Sequence, residues 1–279
     1  MSSLLIFGPG YTAMRLADAI APRGWQVESI GRPAFDDRGA VARAIARASH
    51  ILSSVPPDGA EDPILVRYGA QLATAPARWI GYLSSTGVYG DSGGAWIDET
   101  ALIGTGRRSA RAAADAAWQA LHPAVRVFRL PGIYGPGRSA LDRVASGRAH
   151  RLDVPGQVFS RIHVDDIVGG LLASIDRGPT GIYNLADDRP CHQNAIIEQA
   201  CDLLGIAWPP LQTIDEAGLS PMARGFYAEN RRVANGKAKR LLGWVPLYPD
   251  YAAGLRALSA TSNPINTSNA PNAAASDQR

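Results

Sequence analysis

Residues 4–13 read Leu4-Leu5-Ile6-Phe7-Gly8-Pro9-Gly10-Tyr11-Thr12-Ala13. Four apolar residues stopped by a glycine match a short, buried parallel strand. Gly8, Gly10 and Ala13 then follow the G-x-G-x-x-G/A spacing of a dinucleotide-binding turn. The first glycine makes the tight turn, and the second lets the backbone approach a pyrophosphate. A small third residue allows close packing of helix on strand. From Thr12 to Ala21, Met14, Leu16, Ala17 and Ile20 recur at helical spacing, and Pro22 and Gly24 end the run. The start of that helix offers free N–H groups and a positive dipole end to phosphate. Gly8, Gly10, Tyr11, Thr12 and Ala13 are therefore candidate cofactor-binding residues.

Outward from this turn the pattern repeats. Strands are expected at residues 25–30, 51–55, 79–83 and 125–130, and helices at 36–48, 64–73 and 109–121. Strands alternating with helices at this spacing predict an α/β fold of Rossmann type, a doubly wound parallel sheet covered on both faces. Ligands of such sheets sit at the carboxyl ends of the strands, so Ser54 and Val55, ending the third strand, join the cofactor set. After the second strand an NAD site usually carries Asp or Glu for the ribose 2′-hydroxyl, but here the chain has Gly31-Arg32. A guanidinium binds a 2′-phosphate bidentately, so Arg32 predicts NADP(H) ahead of NAD(H), with NAD still possible.

After Pro131 the pattern becomes irregular. A Gly/Pro-rich loop at 132–137 precedes helices at 141–146, 165–175, 194–204 and 234–242, extended pieces at 158–162 and 182–186, and a last helix at 251–258. The expected organisation is a Rossmann core over 1–131, then residues 132–258 completing that core and forming a smaller C-terminal substrate lobe. Residues 259–279, rich in Ser, Asn, Ala and Pro, read as a disordered tail. The net charge of +3 and the scattered arginines argue against nucleic acid as a partner. Two cysteines build neither a disulfide framework nor a cysteine-rich zinc site, and no metal is expected. The N-terminal residues contain neither a signal-peptide pattern nor a membrane span, so a soluble, cytoplasmic protein is expected, as monomer or homodimer, acting on a small molecule.

Five further segments occur in order: Ser84-Ser85-Thr86-Gly87-Val88-Tyr89-Gly90, Arg129-Leu130-Pro131-Gly132-Ile133-Tyr134-Gly135-Pro136-Gly137-Arg138, Ile162-His163-Val164-Asp165-Asp166, Ile182-Tyr183-Asn184-Leu185 and Leu242-Gly243-Trp244-Val245-Pro246. Together with the glycine-rich turn they resemble the extended and atypical short-chain dehydrogenases/reductases, the NAD-dependent epimerase/dehydratase group, including its YeeZ-like branch. The resemblance implies that Ser85 occupies the position of a catalytic hydroxyl that hydrogen-bonds a substrate oxygen, and that Pro131 lines the nicotinamide side. It also implies a Tyr-x-x-x-Lys pair on the helix after Gly106. Counting back from Asp115 puts Arg107 and Arg111 there instead. Arginine does not give up its proton near neutral pH, but it can stabilise an anion. Phe159 stands where nucleotide-sugar enzymes carry an arginine four residues before the histidine, and Arg161 lies on the same strand face as His163.

Tyr89, Tyr134 and His163 remain as possible proton carriers. His163 also reads as a structural residue at a helix start, and Asp165-Asp166 as caps of that helix. Nothing around Ser85 forms the nucleophile elbow of a hydrolase. The expectation is an NADP(H)-dependent oxidoreductase acting on a small carbonyl or hydroxyl compound without Tyr–Lys catalysis. The alternatives are a dinucleotide-binding redox sensor without turnover and, more narrowly, a sugar epimerase or dehydratase.

Overall fold

A computed structural model of the chain describes residues 2–262. The first half runs β1 (Ser3–Phe7), α1 (Tyr11–Ile20), β2 (Gln26–Ile30), α2 (Arg38–Arg47), β3 (His50–Ser53), α3 (Pro63–Ala73), β4 (Trp79–Ser85), β5 (Trp96–Ile97), α4 (Ser109–Leu121) and β6 (Val125–Leu130). The second half runs β7 (Gly132–Tyr134), α5 (Ala140–Ala145), β8 (Arg151–Leu152), β9 (Arg161–His163), α6 (Val164–Arg177), β10 (Gly181–Asn184) and α7 (Gln193–Leu204). It closes with β11 (Leu211–Gln212), α8 (Pro221–Gly225), β12 (Arg232–Val233), α9 (Gly236–Leu242) and α10 (Tyr251–Ser262).

Six strands form one parallel sheet in the order β10-β6-β4-β3-β1-β2. The chain steps from β1 outward to β2, then crosses back to β3 and grows in the other direction. The crevice between the carboxyl ends of β1 and β3 is therefore the topological switch point, where doubly wound sheets bind their ligands. Alternation along β1 sends Leu5 and Phe7 into one core and Leu4 and Ile6 into the other. The first core packs under α2, α3 and α4 through Val41, Ile45, Ile64, Tyr68 and Trp118. The second packs under α1, α6 and α9 through Leu16, Ile20, Ile167, Leu171 and Leu242. A third cluster, with Tyr134, Leu141, Val144, Ile197 and Leu255, packs α5, α7 and α10 together. Strand β10 brings the second half of the chain back into the main sheet, pairing Asn184 with Arg129 of β6.

Three details differ from the sequence expectation. Residues 132–134 of the glycine-rich loop form β7, which pairs in parallel with β9, Tyr134 opposite His163. Strands β5, β8, β11 and β12 are two residues long each, too short to carry a hydrophobic period. Helix α10 runs to Ser262, so residues 259–262, read as the start of a disordered tail, are helical. The rest of that expected tail lies outside the described residues. Among the described residues no helix is long and apolar enough to cross a membrane.

Candidate functional site

The turn after β1 is held tightly. Gly8 has φ +78°, which favours glycine, and a side chain there would meet Val55 Cγ2 at 2.9 Å. Its N–H donates to the Ile30 carbonyl at 3.0 Å, and its carbonyl accepts from Ser54 Oγ at 2.5 Å. Val55 and Ala13 are buried beneath the turn. At Gly10 the space is open: an added Cβ would find its nearest neighbour, Ser54 Oγ, at 3.9 Å. Gly10 caps α1 without a side-chain hydrogen bond, leaving the first-turn N–H groups turned to the cleft. Tyr11 Oη donates to the Pro136 carbonyl at 3.1 Å, and the Arg138 guanidinium lies 5.8 Å from the Tyr11 ring centre. The loop after β7 thus roofs this end. Arg32 stands exposed at the start of a short 3₁₀ turn after β2, with no side-chain hydrogen bond or ion pair among the described residues, and is outside the lining of the cleft.

Two strands across, β4 runs three residues past the level at which β3 ends, carrying Ser84 and Ser85 outward. Alternation separates them. Ser84 Oγ turns inward and donates to Asp115 at 2.6 Å, whereas Ser85 lines the cleft and accepts from Gly87 N–H at 3.1 Å. Thr86–Tyr89 is a 3₁₀ turn that presses Gly90 against Gly106: a Cβ on Gly106 would lie 2.5 Å from Gly90 Cα. That contact fixes the path of residues 106–108 beside Ser85. Arg107 and Arg111 both line the cleft. Arg107 is not on the helix, because α4 begins at Ser109; it lies in the preceding loop and faces Glu229, Nε to Oε2 3.7 Å. Arg111 Nη1 donates to Tyr82 Oη at 3.0 Å, and burial pushes that phenol up to about 12.

The expected proton carriers fare differently. Tyr89, expected as a catalytic acid, is closed inside a buried network and is not among the residues that line the cleft. Its hydroxyl donates to Asn184 Oδ1 at 2.7 Å and accepts from Arg129 Nη1 at 3.0 Å, and burial raises it to about 12. Tyr134 lines the cleft, but its hydroxyl is buried, has no hydrogen-bond partner among the described residues and points at the backbone of Gly254. Desolvation raises its pKa strongly, so it is a poor proton source in this pose. His163, edge-on to Tyr134 and tilted against Tyr248, is buried, and desolvation lowers its pKa. Its Nδ1 accepts from Asp165 N–H at 3.2 Å. The histidine, and not Asp165-Asp166, thus caps α6. Asp165 pairs with Arg15, and Asp166 accepts the Leu247 and Tyr248 N–H groups. Arg161 is spent on the Phe159 carbonyl at 3.0 Å and Gln193 Oε1 at 2.6 Å.

These parts line one open cleft of about 1030 Å³ that includes Gly10, Tyr11, Thr12, Ser54, Ser85 and Pro131. Its electrostatics are lopsided. Arg107, Arg108, Arg111, Arg138, Arg143, Arg148, Arg161 and Arg231 border it, against Asp142 and Glu229. Asp142 is committed to the Ser139 capping box. Counting from Asp115 missed Arg108, and nothing near Glu229 in sequence announces its contact with Arg107, 122 residues away.

Sheet order, glycine turn and the serine at the end of β4 define a short-chain dehydrogenase/reductase fold of the NAD-dependent epimerase/dehydratase kind. A human epimerase family protein, SDR39U1, solved with NADPH, shares this fold over 92% of the present chain and 99% of its own, with a TM-score of 0.74 at 15% identity. The chain belongs to the same family as a functionally unknown conserved protein of Silicibacter pomeroyi, 43% identical over 94% of this chain and 99% of the other, TM-score 0.84. Protein YeeZ of Escherichia coli K12 is 26% identical over 90% of this chain and 97% of its own. A 3-diazoavenalumate denitrifying reductase of a Streptomyces species is 32% identical over 140 residues, 46% of this chain and 45% of the reductase's length. No protein-family model matches the chain.

Proposed function

We propose that this protein binds NADP(H) in preference to NAD(H) and reduces a small molecule beside Ser85 without a Tyr–Lys pair. One observation carries this: the glycine turn at the switch point and Ser85 open onto the same cleft, two strands apart, about 10 Å at the usual strand spacing. The kinship with a reductase over part of the chain and the NADPH held by the human protein of the same fold support it. Gly10 and the first turn of α1 would receive the pyrophosphate. Arg32 would meet a 2′-phosphate, and Pro131 would flank the nicotinamide, which supplies the hydride. Ser85 Oγ, already an acceptor from Gly87 N–H, keeps its own proton free to orient a substrate oxygen.

Titration by nicotinamide fluorescence tests the cofactor half. NADPH should bind more tightly than NADH, and Arg32→Asp should remove the difference. Loss of one charge-assisted hydrogen-bonding group corresponds to about 10- to 100-fold. Equal affinities in the wild type would refute the assignment of Arg32. The catalytic half is tested by NADPH oxidation across a panel of carbonyl compounds. Any substrate found should lose most of its turnover in Ser85→Ala, and undiminished turnover would displace the reaction from this residue.

A second function is favoured by the two tyrosines. With Tyr89 locked in the interior and the Tyr134 hydroxyl turned to Gly254, neither is placed to deliver a proton beside Ser85. A redox sensor that binds the dinucleotide without turnover needs no such proton. NADPH binding together with no oxidation over the whole panel would select it.

A further inference from the structure

Arg107, Arg108, Arg111 and Arg231 line the same cleft as the carboxylate of Glu229. Glu229 is shared by Arg107, whose backbone N–H reaches Oε1 at 2.9 Å, and Arg231, whose Nη1 reaches Oε2 at 3.0 Å. Arg111 has only the neutral phenol of Tyr82. Among the described residues Arg108 has no side-chain hydrogen-bond or ion-pair partner. Yet Arg108 is half-buried, crossing the open face of Gly87, with its guanidinium 5.7 Å from the Phe226 ring centre. A Cβ on Gly87 would collide with Arg108 Cδ and lie 3.0 Å from its Nε and 3.3 Å from Ser85 Oγ. The guanidinium and the serine hydroxyl therefore border one small volume.

A half-buried cation without an ion-pair partner is costly; like charges on Arg107, Arg111 and Arg231 add to that cost, and the carboxylate of Glu229 offsets part of it. An arginine fork in such a place is matched by a carboxylate or phosphate. The pyrophosphate expected at Gly10 is not that anion, because Gly10 follows β1, two strands away at about 4.8 Å each. The lining also includes Phe159, Tyr227, Leu219, Ile197 and Tyr251, with Arg161, held by the Phe159 carbonyl and Gln193, 5.6 Å from the Phe159 ring centre.

We propose that Arg108, assisted by Arg111, holds the anionic head of the substrate, and that the substrate is a small organic acid whose apolar body lies along Phe226, Phe159 and Tyr227. This rests on the cleft being the site of the reductase proposed above. It assigns the unpaired charge to Arg108, one residue from the position that helical counting selects. It also places the reacting carbon close to the acid group, within reach of Ser85.

Calorimetric titration of the full chain, with and without NADPH, tests the assignment. The probes are cinnamate, its neutral amide and phenyl phosphate. At least one of the two anions should bind more tightly than the amide, and Arg108→Ala should weaken that anion by about 10- to 100-fold while leaving the amide unchanged. Arg108→Lys should recover part of the loss. Gly87→Ala, which displaces Arg108, should reproduce it. The preferred anion decides between a carboxylate and a phosphate head. No preference for either anion over the amide, or full anion affinity in a folded Arg108→Ala protein, overturns the proposal. NADPH titrations of the same variants keep the two ideas apart. Arg108-dependent anion binding without any NADPH binding would leave this site standing and remove the reductase. Intact NADPH binding without an anion preference would do the reverse.

Discussion

Asp115→Ala should destabilise the protein by about 3–5 kcal/mol, the usual cost of removing one partner of a buried ion pair. Asp115 is fully buried, and Arg129 is 2% exposed. Arg129 grips it with both arms of its fork, Nε to Oδ2 at 3.0 Å and Nη2 to Oδ1 at 2.8 Å. Ser84 Oγ and Gln119 Nε2 each add a hydrogen bond at 2.6 Å. Without the carboxylate, Arg129 keeps its charge in the interior with only the Tyr89 hydroxyl and ring for company. Desolvation of that orphaned guanidinium dominates, so the loss should exceed that of an ordinary polar truncation. Urea unfolding would show a lower midpoint at an unchanged slope. A second change, Arg129→Met, should restore part of the stability by removing the stranded charge. A loss below about 1 kcal/mol in Asp115→Ala would mean that water reaches the pair, contrary to its burial.

Gly10→Val should abolish NADPH binding, on the order of 100-fold or about 2.7 kcal/mol, while leaving the fold intact. The backbone at Gly10, φ −88° and ψ −177°, is extended and open to any residue. The nearest atom to an added Cβ is 3.9 Å away, so the unliganded protein has room for a side chain. That room is where a pyrophosphate would approach the backbone. Gly8 gives the contrast. Its positive φ and its contact with Val55 make any side chain costly to folding itself. The pair therefore separates binding from stability: Gly8→Val should lower the melting temperature, and Gly10→Val should not. A folded Gly10→Val protein with wild-type affinity for NADPH would show that the turn is not the phosphate site.

The β1–turn–α1 unit was legible because everything that builds it is local. An apolar strand, two glycines and a helical period lie within the first 20 residues. Ser85 was legible for the same reason, at the end of a strand whose alternation puts its neighbour Ser84 on the other face. The surroundings of Tyr89 were not legible because its partners, Arg129 and Asn184, are 40 and 95 residues away. A motif tyrosine beside a serine resembles a proton donor until the sheet brings β6 and β10 against it. The arginines were half legible. The count from Asp115 found Arg107 and Arg111, but the first turn of α4 starts at Ser109, so helical spacing does not extend back to Arg107. The residue placed by loop geometry beside Ser85 was Arg108, and a loop has no period from which that could be read.

The back-to-back contact of Gly90 with Gly106, and the bare face of Gly87 under Arg108, also set how this region tolerates genetic variation. Gly90 has φ +71° and no space for a side chain, Gly106 abuts both Gly90 and Glu229, and Gly87 abuts Arg108. In a saturation library selected for function, these three glycines should be as intolerant as Ser85, although none of them offers a side chain to a ligand. Their intolerance would differ in kind. Alanine at 90 or 106 should cost soluble yield, whereas alanine at 87 can be accommodated by the flexible end of an arginine and should spare yield while impairing recognition. Scoring abundance and activity separately in one library would therefore draw the line between the clasp that holds the arginine loop and the surface that loop presents.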